Sequence, residues 1–244
     1  MRRLRVRRTL GWALAVASAA AGCSKNAAES AGGSDARGAR FIEFPAGANF
    51  GELFLRSDPG LHSFPSAARI PFGKARGRVV IPEGKSVELV LDPTLLVAAL
   101  EAWEGGAVSA LDLTQNACAD ADLKSVAKLT ALRELRLTGA AIEGKGLSDL
   151  TELQRLETLV LRRTMVDDDG VRRLTPLASL RRLDLHGTRV TDASIEALIE
   201  LKGLTDLDLS DTRVTAEGIE RLRSALPAAK IVAPFIPPEA EESL

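Results

Sequence analysis

At 244 residues, with 45% hydrophobic and 27% charged side chains, the chain can bury a substantial core and is too apolar to be disordered throughout. Aromatic residues are only 4% and tyrosine is absent, which excludes an aromatic platform for stacking bases or sugars. The net charge of −1 divides unevenly: residues 1–22 hold five arginines and no acid, while the remaining 27 basic residues stand against 33 acidic ones. A mildly acidic body has no general attraction for a polyanion, so no nucleic-acid partner is expected.

Arg2, Arg3, Arg5, Arg7 and Arg8 precede an apolar, small-residue stretch from Leu10 to Gly22. Its 13 residues are too few to cross a hydrocarbon core of ~30 Å, so it reads as the hydrophobic region of a signal. The stretch ends Ala20-Ala21-Gly22-Cys23. This resembles a bacterial lipoprotein signal, which implies removal of residues 1–22 and lipidation of Cys23 as the mature N-terminus. Ala20 stands where that family usually has leucine. The alternatives are an ordinary secretory signal cleaved at a nearby Ala-x-Ala site and a twin-arginine signal at Arg7-Arg8. Ser24 after the cysteine implies the outer membrane in a two-membrane bacterium. An extracytoplasmic, lipid-anchored location is therefore expected, with the anchor as the only membrane contact.

Residues 23–40 are rich in Ala, Gly, Ser and charge and lack apolar periodicity, so a flexible tether is expected. Cys118 is the only other cysteine, which leaves no intramolecular disulfide if Cys23 is lipidated.

Residues 41–107 read as a β-rich N-terminal cap, with a small independent β domain as the alternative. Gly77–Ile81 and Ser86–Leu91 flank Pro82-Glu83-Gly84-Lys85 and predict a hairpin. Asp92-Pro93 predicts a helix start, with Leu96, Leu100 and Trp103 on one face and Gly105-Gly106 ending it.

The main signal is a period of 24 residues over 108–233. Leu132-x-x-Leu135-x-Leu137 recurs from Leu156, Leu180 and Leu204, with Val108, Leu111 and Leu113 one period earlier. Further slots hold Cys118, Ile142, Val166, Val190 and Val214, then Leu123, Leu147, Val171, Ile195 and Ile219. The first half of the unit predicts a short strand. The second predicts a short helix such as 192–203, with Thr191 or Asp192 as cap and Gly203 beyond its end. Helices this short hold only against neighbours, which is the logic of a solenoid. The pattern fades at Ile231 between Pro227 and Pro234, and residues 234–244 read as a polar tail.

This pattern resembles the leucine-rich-repeat family, in the ribonuclease-inhibitor-like type, whose turn stands here as Thr188-Arg189-Val190-Thr191-Asp192. The resemblance implies an α/β leucine-rich-repeat solenoid of five 24-residue repeats, with a parallel sheet on the concave face and short helices outside.

Chemistry-bearing motifs are few. Gly139-x-x-x-x-Gly144-Lys145 approaches a phosphate-binding loop, but Gly146 stands where Mg²⁺ needs a hydroxyl. Asp167-Asp168-Asp169 reads as a solvated helix N-terminus rather than a cation site. The two histidines, His62 and His186, do not form a metal-ligand pair, and Cys118 occupies a core slot. No metal, cofactor, small-molecule substrate or catalysis is expected.

What remains is the concave strand face. The residues between the leucines, Asp112, Glu134, Arg136, Thr158, Val160, Arg162, Arg182, Asp184, His186, Asp206 and Asp208, are expected to point to solvent. Arg136, Arg162, Arg182, Asp184, His186, Asp206 and Asp208 are the candidate binding residues, for an unidentified protein. The alternatives are a solvated face on a structural envelope scaffold and, last, an enzyme.

Overall fold

The computed structural model describes residues 32–34, 40–45, 49–56, 70–95, 97–102 and 107–233. Cys23, the signal, the tail, Leu96, Trp103 and His62 lie outside the described residues.

The strands in chain order are β1 (Gly32–Ser34), β2 (Arg40–Glu43), β3 (Gly51–Arg56), β4 (Ile70–Lys74), β5 (Arg78–Ile81) and β6 (Ser86–Leu91). They continue as β7 (Val108–Asp112), β8 (Glu134–Arg136), β9 (Thr158–Val160), β10 (Arg182–Asp184), β11 (Asp206–Asp208) and β12 (Lys230–Val232). A nine-stranded sheet runs β12-β11-β10-β9-β8-β7-β6-β3-β4, and a three-stranded sheet runs β1-β2-β5. From β6 to β12 every pairing is parallel, and from β7 onward each residue faces the residue one period along, as in Leu135↔Leu159 and Leu183↔Leu207.

The leucine slots explain this architecture. Leu132, Leu135, Leu137, Leu156, Leu159, Leu161, Leu180, Leu183 and Leu185 are all buried, as are Cys118, Ile142, Val166, Val190 and Val214 behind them. Each fully buried leucine contributes roughly 1.5–3 kcal/mol, and no single coil can bury its row without a neighbour. The helical side of each coil is short: helices at Leu123–Val126, Asp168–Arg172, Ile195–Glu200 and Ala216–Ala225, and a 3₁₀ segment at Lys145–Glu152. In the predicted segment 192–203, Thr191 caps the start, accepting from the Ala193 amide, and a 3₁₀ turn at Asp192–Ser194 leads into the helix.

One turn position repeats with the period. Gln115, Gly139, Arg163, Gly187 and Asp211 all take a left-handed conformation, with φ between 55° and 75°. Glycine fits there without strain, whereas the other three side chains carry a steric cost. The threonines that follow help hold the turn: Thr164, Thr188 and Thr212 donate to the carbonyls of Leu161, Leu185 and Leu209 at 2.6–2.7 Å.

Three local expectations are corrected. The predicted hairpin does not form: β5 pairs with β2, while β6 lies between β3 and β7 in the other sheet. Val87, Leu89 and Leu91 are buried, and that apolar row belongs beside the parallel ladder rather than beside its sequence neighbour. The expected tether, 23–40, contributes Gly32–Ser34 and Arg40 to an antiparallel pair. Backbone hydrogen bonds need no apolar periodicity in the side chains. At Asp92-Pro93 a turn precedes a 3₁₀ segment at Val97–Ala102. The Asp92 carboxylate caps that turn by accepting from the Thr94 amide and hydroxyl, at 2.9 and 2.6 Å.

Candidate functional site

The sheet register assembles two rows on the strand face opposite the leucines. One is Glu134, Thr158, Arg182 and Asp206; the other is Arg136, Val160, Asp184 and Asp208. Neighbouring strands lie about 4.8 Å apart, so successive side chains in a row are within reach of one another.

At the β8 end the face is closed on itself. Arg56 of β3 ion-pairs with Glu88 at 2.9 Å and with Glu134. Arg136 pairs with Glu88 at 3.1 Å, with Asp112 at 3.5 Å and with Glu134. Burial works against the charge on Arg56, but Glu134 and Glu88 outweigh it and hold the guanidinium above its ordinary value. Arg56 and Glu88 were not legible as site residues in the sequence. Neither lies in the repeats, and only the β3–β6–β7 pairing brings them to this face.

Further along, Arg162 donates from Nε to Asp184 at 3.0 Å and from Nη2 to Asp208 at 3.2 Å. Asp184 also accepts from the His186 amide at 3.0 Å, and Asp208 from the Ser210 amide at 2.9 Å. His186 is thus tied to the face through its backbone.

The expectation that these side chains point freely to solvent is corrected. Asp112, Glu134, Thr158, Val160, Arg182 and Asp184 are buried. Closely spaced strands crowd their side chains, and the ion pairs fold them down onto the sheet. Arg162 remains open, with its side chain 39% exposed, and Asp206 and Asp208 are half-buried.

Arg182 differs from the other three arginines of the face. It is 7% exposed and forms no ion pair among the described residues; its Nε, like that of Arg56, has no hydrogen-bond partner there. Burial lowers its pKa, with Arg56 adding to the effect, and Asp206, Glu134 and Glu157 offset this only in part. The carboxylate facing it, Asp206, accepts from the Thr205 hydroxyl at 2.8 Å. On its other side stands Thr158, 3% exposed, whose hydroxyl also has no partner among the described residues. A buried charge and a buried hydroxyl without partners are costly.

The motifs set aside above have structural roles. The glycine-containing loop does cradle an anion, but the anion is the chain's own. The Asp120 carboxylate accepts from the amides of Glu143, Gly144 and Gly146 at 2.8, 3.1 and 2.6 Å. Asp168 and Asp192 repeat the device, each accepting from the amide and hydroxyl of Thr191 and Thr215 on the next coil. Asp167 caps its helix at the Gly170 amide, and Asp169 pairs with Arg172. Cys118 is fully buried, and burial, with Asp122 and Asp120, pushes its thiol up to about 12. Among the described residues, no cluster of three or more His, Cys, Asp or Glu could hold a metal, and no helix is long and apolar enough to cross a membrane.

A family model described as a leucine-rich repeat matches residues 204–222, the unit that contains β11. No curated protein matches. Among solved structures, the chain is similar to internalin C2 of Listeria monocytogenes at 25% identity and a TM-score of 0.49, covering 61% of this chain and 60% of that one. It is similar to an internalin F of the same organism at 16% identity and a TM-score of 0.45, covering 61% and 48%. A leucine-rich-repeat protein of Leptospira interrogans matches at 20% identity and a TM-score of 0.43, covering 56% and 39%. The chain thus spans 60% or less of the length of these structures. The parallel ladder, the 24-residue register of buried leucines and the short helices behind them make this fold an α/β leucine-rich-repeat solenoid.

Proposed function

We propose that this chain is a lipid-anchored binding protein of the bacterial cell envelope, of the ribonuclease-inhibitor-like repeat type, which holds a protein partner on its strand face without catalysis. The observation that carries this reading is Arg182: a guanidinium almost removed from water, without an ion pair among the described residues, beside the unpartnered Thr158 hydroxyl. A partner carboxylate or carbonyl would receive the outer guanidinium nitrogens of Arg182, while its Nε and the Thr158 hydroxyl lie beneath the surface. A bidentate contact of that kind typically anchors an interface. Arg162, His186, Asp206 and Asp208 surround this point and set the polarity a partner must complement. Arg136 is excluded from direct contact by its three internal ion pairs and acts as a support. The anchor at Cys23 and an outer-membrane location rest on the Ala20-Ala21-Gly22-Cys23-Ser24 resemblance.

The ion-paired cluster of Arg56, Glu88, Glu134 and Arg136 favours a second reading for that end of the face, a structural envelope scaffold with no discrete ligand. A photo-crosslinkable residue placed in intact cells at Arg162, and separately at Arg173 on the helical side, separates the two. One defined adduct from position 162 and none from 173 supports the binding reading. Diffuse adducts from both positions support the scaffold.

A further inference from the structure

A cavity of about 390 Å³ opens beside the strand face, along the leading ends of β6 to β9. Four cationic side chains line it, Arg40, Lys85, Arg133 and Arg155, and its lining contains no acid. They come from distant parts of the sequence: Arg40 begins β2, Lys85 precedes β6, and Arg133 and Arg155 precede β8 and β9. Arg133 is offset by Glu157, which lies outside the lining, and the lining itself is cationic. The arrangement stands out in a chain whose net charge is −1. Arg40 is held over the cavity by donating from Nη1 to the Lys85 carbonyl at 3.2 Å, and Arg133 is braced by Glu157. Arg155 is exposed and has no ion pair among the described residues. Ser86, also in the lining, has a buried hydroxyl with no hydrogen-bond partner among the described residues.

We infer that this cavity is a binding site for a phosphate group, separate from the strand face and independent of the proposal made for it. Phosphate matches the lining better than a carboxylate does. It offers several acceptor oxygens around one centre, so Arg40 and Arg155 can each find one, with Arg133 and Lys85 adding to the positive field. The guanidinium fork of arginine fits two of those oxygens at once. The volume leaves room for the substituent of a phosphate ester. That ester is either a free phosphate compound or the headgroup of an anionic phospholipid, and the two sources share the same recognition.

The test is calorimetric titration of the full chain in nonionic detergent, with inorganic phosphate in one arm and glycerophosphoglycerol, the water-soluble headgroup of phosphatidylglycerol, in the other. The proposal expects saturable binding in at least one arm, weakened about tenfold or more by the double substitution Arg40→Ala, Arg155→Ala and largely restored by Arg40→Lys, Arg155→Lys. Binding of inorganic phosphate identifies a free-phosphate site; binding of the glycerophosphodiester alone identifies a headgroup site. Both positions are exposed, so a thermal melt of the double variant is expected to match wild type. Absence of binding in both arms overturns the proposal, as does binding that the double substitution leaves unchanged.

Discussion

Arg162 donates from Nε to the buried carboxylate of Asp184, one coil further along the solenoid and 3.0 Å away. That carboxylate is 2% exposed and also holds the His186 amide, so it belongs to the frame of the strand face rather than to its solvated surface. Replacing Asp184 by Ala is expected to cost about 1–3 kcal/mol, because a half-buried amide and a guanidinium lose their acceptor. Leu183→Ala, in the core slot beside it, should cost ~2–5 kcal/mol. Urea titration measures both. An Asp184→Ala variant as stable as wild type would return this residue to the exterior. Charge reversal at Arg162 is a poor probe of binding, because it places a third carboxylate beside Asp184 and Asp208.

The coil-to-coil carboxylates give a second expectation. Asp120 receives three amides of the next coil, and a side chain added at Gly146 would collide with the Asp120 carbonyl. Asp120→Ala should destabilise by about 1–3 kcal/mol through orphaned amides. Gly146→Ala should cost about the same through forced backbone movement. Because Asp120 also fixes the backbone of Gly144 and Gly146, the double variant should cost less than the sum of the two single changes.

The thiol of Cys118 supplies a pH dependence. In the unfolded chain it titrates near its ordinary 9.0, whereas in the fold burial pushes it up to about 12. Between those values the unfolded chain gives up a proton that the folded chain keeps. The contribution is therefore intact below about pH 9 and is lost as pH rises toward 12, by on the order of 1 kcal/mol per pH unit. Val occupies the same slot at 166, 190 and 214, so Cys118→Val should fold normally and show a shallower alkaline loss than wild type. Equal alkaline loss in both proteins would refute the assignment.

The repeat was readable because its signal is redundant: the same apolar slots recur every 24 residues, and the helical side obeys the same count. The N-terminal region was less readable, since β5 and β6 are neighbours in sequence but belong to different sheets, and strand partners are chosen by burial. At the site, the sequence placed Arg136, Arg162, Arg182, Asp184, Asp206 and Asp208 on one face, because alternation between leucines decides facing. It did not show which of them are paired. That depends on Arg56 and Glu88, which arrive from outside the repeats, and on side-chain length across adjacent coils. Nor did the sequence distinguish Arg182 from its neighbours, since an arginine without an ion pair reads the same as one with three.

Processing at Cys23 is tested separately. The purified protein is expected to partition into detergent and to lack residues 1–22, and Cys23→Ser should release it from membranes or stall its maturation. A fully soluble, unlipidated wild-type protein would contradict the anchor.

The strand-face proposal is tested most directly by Arg182→Met, scored for stability and partner capture in the same preparation. Methionine has similar length and fills the same space. Removing a buried guanidinium that has no ion pair among the described residues should leave the melting temperature unchanged or raise it. Capture, measured by crosslinking in intact cells followed by mass spectrometry, should fall to background. In parallel, Arg173→Glu on the helical side should leave capture intact. A stable Arg182→Met protein that still captures the wild-type partner would contradict the account.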